Sequence, residues 1–370
     1  MEQRISVTAA RIYRVRVPLE QPFVLAYKNV ADVENVLLRL EDEQGLAGWG
    51  CASPESKVTG ETVDGAVASL KSEIVPMLVE APALPLGLVL NALEHAAPGA
   101  PCARAAADIA LHDLAARRAG RPLIDLLGGP VRDAVSTCMT VSIADVAKTL
   151  DDARRFAQRG YRFLKIKCGL DADEDIARVR AVREALPDTV LHLDANQGYT
   201  LEHALRVCRA LRHDIAFLEQ PGPRDDRDMF DALCAQSPVP IMADESVRSP
   251  QDALDLFRRG VPLVCVKLMK NGGVAPAVRL CELARSLGRR VMIGCMKELP
   301  VSMAAAACVA LSQPAVQYAD LDGHLDMVQD IARGGVHVEN GTARVPGGAP
   351  GTGVRVDEAE LAAHLVFDTA

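Results

Sequence analysis

The chain has 370 residues, 49% of them hydrophobic, which exceeds one ordinary core and points to two domains or to a barrel with an added domain. A formal net charge of −8, with no basic tract and no interleaved aromatic pattern, argues against a nucleic-acid partner and leaves small molecules as the expected ligands. The ten cysteines include no C-x-x-C pair and read as buried thiols of a reducing compartment, and the longest apolar run, around Met303 to Leu311, is too short to span a bilayer; a soluble cytoplasmic protein is expected.

In chain order, Ile5 to Val17 alternates polar and apolar residues as a strand does, and Met1 to Leu19 has neither the apolar core nor the cleavage-like site of a signal peptide. Gln21 to Val30 reads as a mobile loop. Asn35 to Leu40 and Leu46 to Cys51 form a predicted hairpin turning at Asp42-Glu43-Gln44-Gly45, and Ser53 to Thr59 reads as a second lid loop. Helical spacing follows over Gly60 to Glu80 and over Ala105 to Arg118, the latter continuing towards Leu127 and stopping at Gly128-Gly129-Pro130. That stop bounds an expected α+β domain over residues 1–128.

After Pro130 the pattern becomes a β/α alternation. Candidate strands are Val135 to Val141, Phe163 to Cys168, Val190 to Asp194, Ala216 to Glu219, Pro240 to Ala243, Leu263 to Lys267, Arg290 to Gly294 and Val316 to Ala319. Amphipathic segments such as Ala147 to Arg159 and Asp173 to Ala185 lie between them. Parallel strands joined in this way close most naturally into a (β/α)8-type barrel over residues 129–333, and no G-x-G-x-x-G turn supports an open dinucleotide-binding sheet. The glycine-rich segment 334–370 is expected to leave the barrel and return to the N-terminal domain.

Reactive groups of such a barrel belong at the C-terminal ends of its strands. Lys165 and Lys167, two residues apart on one strand, share a face. Three consecutive strands then end in Asp194, Glu219 and Asp244, and the next ends in Lys267. An acid at a strand-to-helix turn often only caps the helix, but three in register make that reading weak. Three convergent carboxylates in a partly dry cavity need a cation, and an all-oxygen set suits Mg²⁺, with Mn²⁺ as the alternative. Strands two and six of eight face each other, so Lys167 and Lys267 address opposite faces of a substrate whose carboxylate the cation holds. This arrangement suits removal of a proton α to a carboxylate through an ene-diolate, giving an epimer or racemate.

The runs Lys165-Ile166-Lys167, Asp194-Ala195-Asn196, Glu219-Gln220-Pro221, Ala243-Asp244-Glu245-Ser246 and Val266-Lys267-Leu268-Met269-Lys270-Asn271-Gly272-Gly273 together resemble the muconate lactonizing enzyme subgroup of the enolase superfamily. The resemblance covers nearly the whole chain. It implies an α+β capping domain over a modified TIM barrel of (β/α)7β form, Mg²⁺ on Asp194, Glu219 and Asp244, and Lys167 and Lys267 as the acid/base pair. Lys165 is then an auxiliary cation that lowers the pKa of Lys167, Lys270 has a structural role, and a homo-oligomer is expected.

Two further runs resemble the dipeptide epimerases of that subgroup: Asp320-Leu321-Asp322 and Gly294-Cys295-Met296-Lys297-Glu298. Paired anions at a mouth that also binds a substrate carboxylate imply a cationic group on the ligand, most simply a free α-ammonium. Family members often carry serine where Leu299 stands. Lys297 and Lys28 are candidate partners of an acidic side chain, as in Ala-Glu, and Thr140 and Ser142 are candidate hydrogen-bonding groups for the substrate. His192 is expected to be a hydrogen-bonded core histidine. Cycloisomerisation, o-succinylbenzoate synthesis and N-acylamino acid racemisation use the same lysines and metal, but an N-acylated substrate gives Asp320 and Asp322 no cation. A Schiff-base aldolase and a non-catalytic binding protein are the readings from other classes.

Overall fold

The structure, a computed structural model, describes residues 4–25, 28–328 and 331–369, without the side chains of 23–25 and 28. Strands β1 (Val7–Leu25), β2 (Lys28–Asp42) and β3 (Ala47–Ala52) form an antiparallel sheet, and Leu365–Asp368 from the far end of the chain pairs on the outer side of β1. One face of this sheet packs on helix α1 (Pro101–Arg118). Proline at the first turn and a run of alanines favour that helix, and small side chains on it let β3 approach closely. A Cβ at Gly48 or Gly50 would strike the carbonyl oxygens of Ala110 and Ala106.

Of the segment 21–30, read from sequence as a mobile loop, the described residues 21–25 and 28–30 are strand, with Phe23 opposite Val30 and Leu25 opposite Lys28, and residues 26 and 27 lie outside the described residues. The register slips between Pro18 and Phe23, where the proline cannot donate to the ladder. Helix α1 also ends earlier than its spacing suggested. It stops at Arg118, and after Gly120 and Pro122 a separate turn of helix covers Leu123–Leu126.

Eight parallel strands follow: β4 (Met139–Val141), β5 (Phe163–Lys167), β6 (Val190–Asp194), β7 (Leu218–Glu219), β8 (Ile241–Ala243), β9 (Leu263–Lys267), β10 (Arg290–Gly294) and β11 (Val316–Ala319). They lie in chain order. A parallel bridge between Thr137 and Ala319, with Cys138 N donating to Ala319 O at 3.0 Å, joins the first edge to the last and closes the barrel. Val135 to Val141 was expected to be one strand. Only its second half enters the barrel, while Val135–Ser136 pairs with Thr342–Arg344 of the C-terminal segment.

Helices α2 (Val146–Gln158), α3 (Ala172–Ala185), α4 (Leu201–Ala210), α5 (Arg227–Gln236), α6 (Pro250–Arg258), α7 (Val274–Ser286) and α8 (Pro300–Ser312) connect successive strands, giving (β/α)7β. Five of them start on a side-chain cap from Asp or the hydroxyl of Ser or Thr, at Asp145, Asp171, Thr200, Asp226 and Ser249. Inside the barrel floor, Phe163, Phe217, Met242, Leu263 and Met292 form a separate apolar cluster. No helix among the described residues is long and apolar enough to cross a membrane.

The strand register decides which side chains share a level. Lys167 is opposite Asp194, Asp194 opposite Glu219, and Lys267 opposite Gly294. The cap is stitched to the barrel mouth by a bridge from Leu19 to Met327 and by Glu20 N donating to Asp326 O at 2.8 Å.

Candidate active site

Over the C-terminal ends of the strands lies a cavity of about 250 Å³, lined from the barrel by Lys165, Lys167, Lys267, Lys297, Asp320 and Asp322 and from the cap by Asp32, Glu34 and the segment from Ser53 to Val58. All five of the expected lysine and carboxylate positions from β5 to β9 are buried there, together with the auxiliary Lys165. In strand order β5 and β9 are separated by three strands, which in a closed barrel of eight sets Lys167 and Lys267 across from one another.

Lys167 Nζ donates to Asp194 Oδ2 at 2.6 Å and to Asn196 Oδ1 at 2.8 Å; Lys267 Nζ donates to Asp244 Oδ2 at 2.7 Å. Lys165 Nζ stands between Asp194, Glu219 and Asp320 at 2.9, 3.1 and 2.9 Å. Burial opposes the charge on Lys165, but Asp194, Asp320 and Glu219 outweigh it and hold the ammonium well above its ordinary range. Asp194 follows the same logic with opposite sign, since burial favours its neutral form and Lys165, Lys167 and Lys267 hold it ionised. Gly294 makes room for this layer, because a Cβ there would lie 3.2 Å from Lys267 Cε and 2.6 Å from the Cys265 sulfur.

Three carboxylate oxygens stand apart. Both oxygens of Glu219, and Oδ1 of Asp244, are buried with no hydrogen-bond partner, although Lys165 and Lys270 lie within ion-pair range of them. Among the described residues Glu219 Oε1 has neither a hydrogen bond nor an ammonium in range, and a buried all-oxygen set with such acceptor capacity to spare fits a hard divalent metal. Cys265 Sγ lies within 4.8 Å of ligand atoms of Glu219 and Asp244. Burial keeps that thiol far above its ordinary pKa, and a neutral sulfur is a poor ligand for Mg²⁺.

At the other end of the cavity Asp320 Oδ2 accepts from Lys165 and its Oδ1 from Cys138 Sγ at 3.3 Å, while Asp322 Oδ2 accepts from Thr140 N at 2.9 Å. Thr140 thus touches this pair through its backbone. Burial and then Asp320 push the Asp322 carboxyl up, leaving a site that gains from a cation. Ser142 lies in a neighbouring cavity instead, which shares Thr140, Lys297 and Asp322 with the first.

Lys297 lines the main cavity, but both oxygens of Asp326 accept from its Nζ at 2.8 Å. Lys28 and the strand-tip side chains around it lie outside the described side chains. Lys270 donates to the carbonyl oxygens of Asp244 and Cys265 and so holds the turn that carries Asp244. His192 differs from expectation: it is fully buried between Phe163 and Phe217 with neither ring nitrogen hydrogen-bonded, and Nε2 lies 3.3 Å from Glu219. Burial keeps it neutral. The sequence reading gave no role to Asn196, Glu245 or Glu298, all buried at this mouth. Asn196 and Glu245 follow strand-end acids by two positions and one, and all three stand in the runs that carry the resemblance.

Residues 7–128 match the family model described as "Mandelate racemase / muconate lactonizing enzyme, N-terminal domain", and residues 148–360 match "Enolase C-terminal domain-like". Among curated proteins, the chain is 39% identical to an L-Lys-D/L-Arg epimerase from Methylococcus capsulatus, over 89% of this chain and 93% of that protein. Among solved structures, it is similar to a dipeptide epimerase from Methylococcus capsulatus complexed with Mg and the dipeptide L-Arg-D-Lys, with TM-score 0.87 and 36% identity over 95% and 100% of the two chains. It is similar also to a substrate-liganded L-Ala-D/L-Glu epimerase from Bacillus subtilis, with TM-score 0.91 and 32% identity over 95% and 99%.

Proposed function

This chain belongs to the mandelate racemase / muconate lactonizing enzyme family of the enolase superfamily, and on that premise we propose that it is an isomerase that epimerises a dipeptide at the Cα of its C-terminal residue. The observation that carries the reading is the opposed pair Lys167 and Lys267 in one cavity with Asp320 and Asp322, above the buried carboxylates of Asp194, Glu219 and Asp244. Asp194, Glu219 and Asp244 would hold Mg²⁺, which when bound supplies a hard positive charge for the substrate carboxylate and for the charge that develops there as the Cα–H bond breaks.

The chain's own residues do the rest. One lysine enters the reaction as the neutral amine, takes the α-proton and becomes an ammonium. The other enters as an ammonium and returns a proton to the opposite face, so protons balance and the configuration inverts. Lys165, fixed among three carboxylates, adds a permanent positive charge two residues from Lys167. Asp320 and Asp322 receive the α-ammonium of the N-terminal residue, with the Thr140 backbone N–H orienting Asp322. An N-acylated substrate would leave that carboxylate pair without a cation, which favours a free dipeptide over N-acylamino acid racemisation.

The side-chain preference rests on charge. An Ala-Glu substrate would use Lys297, yet Asp326 already engages that ammonium through both oxygens. Asp32 and Glu34 line the cap side of the cavity, paired with Arg16 and Arg14, so no unpaired cation on that side offers itself to an acidic side chain among the described residues. We therefore read the C-terminal pocket as favouring neutral or cationic side chains over acidic ones. A panel of L-Ala-L-X dipeptides in D₂O with Mg²⁺ tests both levels. Deuterium is expected at the Cα of X, fastest for cationic or neutral X; exchange fastest for X = Glu overturns the preference, and no Mg²⁺-dependent exchange with any member overturns the activity.

A further inference from the structure

The two opposed lysines are not held alike. Lys267 Nζ has Asp244 as its hydrogen-bond partner among the described residues, whereas Lys167 Nζ has both Asp194 and the amide oxygen of Asn196. The amide is itself fixed, because its nitrogen donates to Glu245 Oε1 at 3.2 Å and its orientation is thereby set with oxygen towards the lysine. The Asn196 backbone is held too: its N–H donates to Asp194 Oδ1 at 2.9 Å, and φ is +41°, a left-handed conformation that asparagine adopts more readily than most residues. Asn196, Glu245 and Lys167 are all buried, and Asn196 lines the cavity.

We propose that Asn196, oriented by Glu245, is a positioning residue for Lys167 alone, so that the two faces of the reacting carbon are served by lysines of unequal order. The proposal rests on the two-lysine reading above. A lysine stem with four rotatable bonds samples many directions, and only one of them aims the amine at the α-hydrogen. A second acceptor at a fixed angle from Asp194 restricts Lys167 to that direction; Lys267 has one acceptor, and its stem runs beside Gly294, which carries no side chain. Epimerisation in either direction passes through both lysines. Exchange of the α-hydrogen with solvent, without inversion, needs only the lysine facing it, and this separates the two.

The test uses the Mg²⁺-loaded full-length enzyme in D₂O with the L,L and the L,D epimer of one active dipeptide, following deuterium in recovered substrate before inversion builds up. Lys167→Ala and Lys267→Ala identify which epimer meets which lysine, each variant losing exchange from one epimer. In Asn196→Gly, which keeps the left-handed backbone and removes the amide, exchange of the epimer facing Lys167 is expected to fall roughly tenfold or more while that of the other epimer stays within about twofold. Glu245→Ala is expected to show the same one-sided loss at smaller size, and Glu245→Gln, which keeps an acceptor for the amide, to restore it; these variants carry the test if Asn196→Gly does not fold. Equal loss from both epimers, or no loss, overturns the positioning role. If instead neither lysine variant separates the epimers, the two-lysine reading itself fails, whatever Asn196 does.

Discussion

Helix α1 and the barrel mouth both bury carboxylates, and they treat them in opposite ways. Asp113 on α1 is fully buried and fully satisfied: it accepts from Trp49 N at 3.0 Å, Thr352 N at 2.6 Å, Thr352 Oγ1 at 3.0 Å and Arg117 Nε at 2.8 Å. Asp108 on the same helix accepts from Val274 N and so caps α7. At the mouth, Glu219 is as deeply buried and neither of its oxygens accepts a hydrogen bond. A buried acid surrounded by backbone donors ties distant segments together, whereas one met by ammonium groups without a hydrogen bond keeps acceptor capacity for the metal proposed above. The difference separates stability from chemistry within one molecule.

The largest effect expected from breaking this division is on rate. Lys167→Ala and Lys267→Ala should each lower the epimerisation kcat by roughly 10²–10⁴-fold, the range for losing a general acid or base. Glu219→Gln sharpens the contrast. It should weaken Mg²⁺ binding and activity by roughly a hundredfold or more, while the metal-free midpoint changes little, because Lys165 keeps Asp194 and Asp320 as partners. A lower metal-free midpoint would mean that Glu219 is structural after all.

Asp113→Ala is the mirror case. It strips the partners from the buried amides of Trp49 and Thr352 and should destabilise the fold by about 3 kcal/mol or more in urea, leaving KM unchanged in the protein that remains folded. Of similar size is a pH effect at Glu298, whose carboxyl burial pushes up to about 7 from an ordinary 4.5. The folded protein keeps this proton where the unfolded chain releases it, so stability is fully present below about 4.5 and falls by up to about 3 kcal/mol as pH rises towards 7. Glu298→Gln should flatten that part of the urea-midpoint profile. The smallest effect is on ligation: saturating Mg²⁺ should raise the wild-type midpoint by the equivalent of about 2–3 kcal/mol at a hundredfold excess over Kd, and should not do so in Glu219→Gln.

How much of this was legible in the sequence follows from the range of the interactions. Lys165, Lys167, Asp194, Glu219, Asp244 and Lys267 were readable because a strand's period of two and the β/α repeat fix their level and direction locally. Asp108 and Asp113 were not. They sit within a helical pattern, where an acid reads as a solvated face, and their partners lie 166, 64 and 239 residues away. The strand tip near residue 25 was misread because its pairing with β2 outweighs the flanking prolines. Lys297 was visible as a cation but its partner, 29 residues on, was not, and that partner changes what its charge can do. Asn196 stands in the Asp194-Ala195-Asn196 run, but its bond to Lys167 shows only in the orientation of its side chain.

The cap that α1 places on α7 has one more consequence. Val274, whose amide Asp108 covers, begins the helix that follows the Lys267 strand after one short turn, so the cap half of the chain grips the barrel half close to Lys267 in sequence. A barrel cut free at Gly128-Gly129 would lose that grip along with the wall formed by Ser53 and Glu55, so the smallest working unit of this architecture is the two halves assembled.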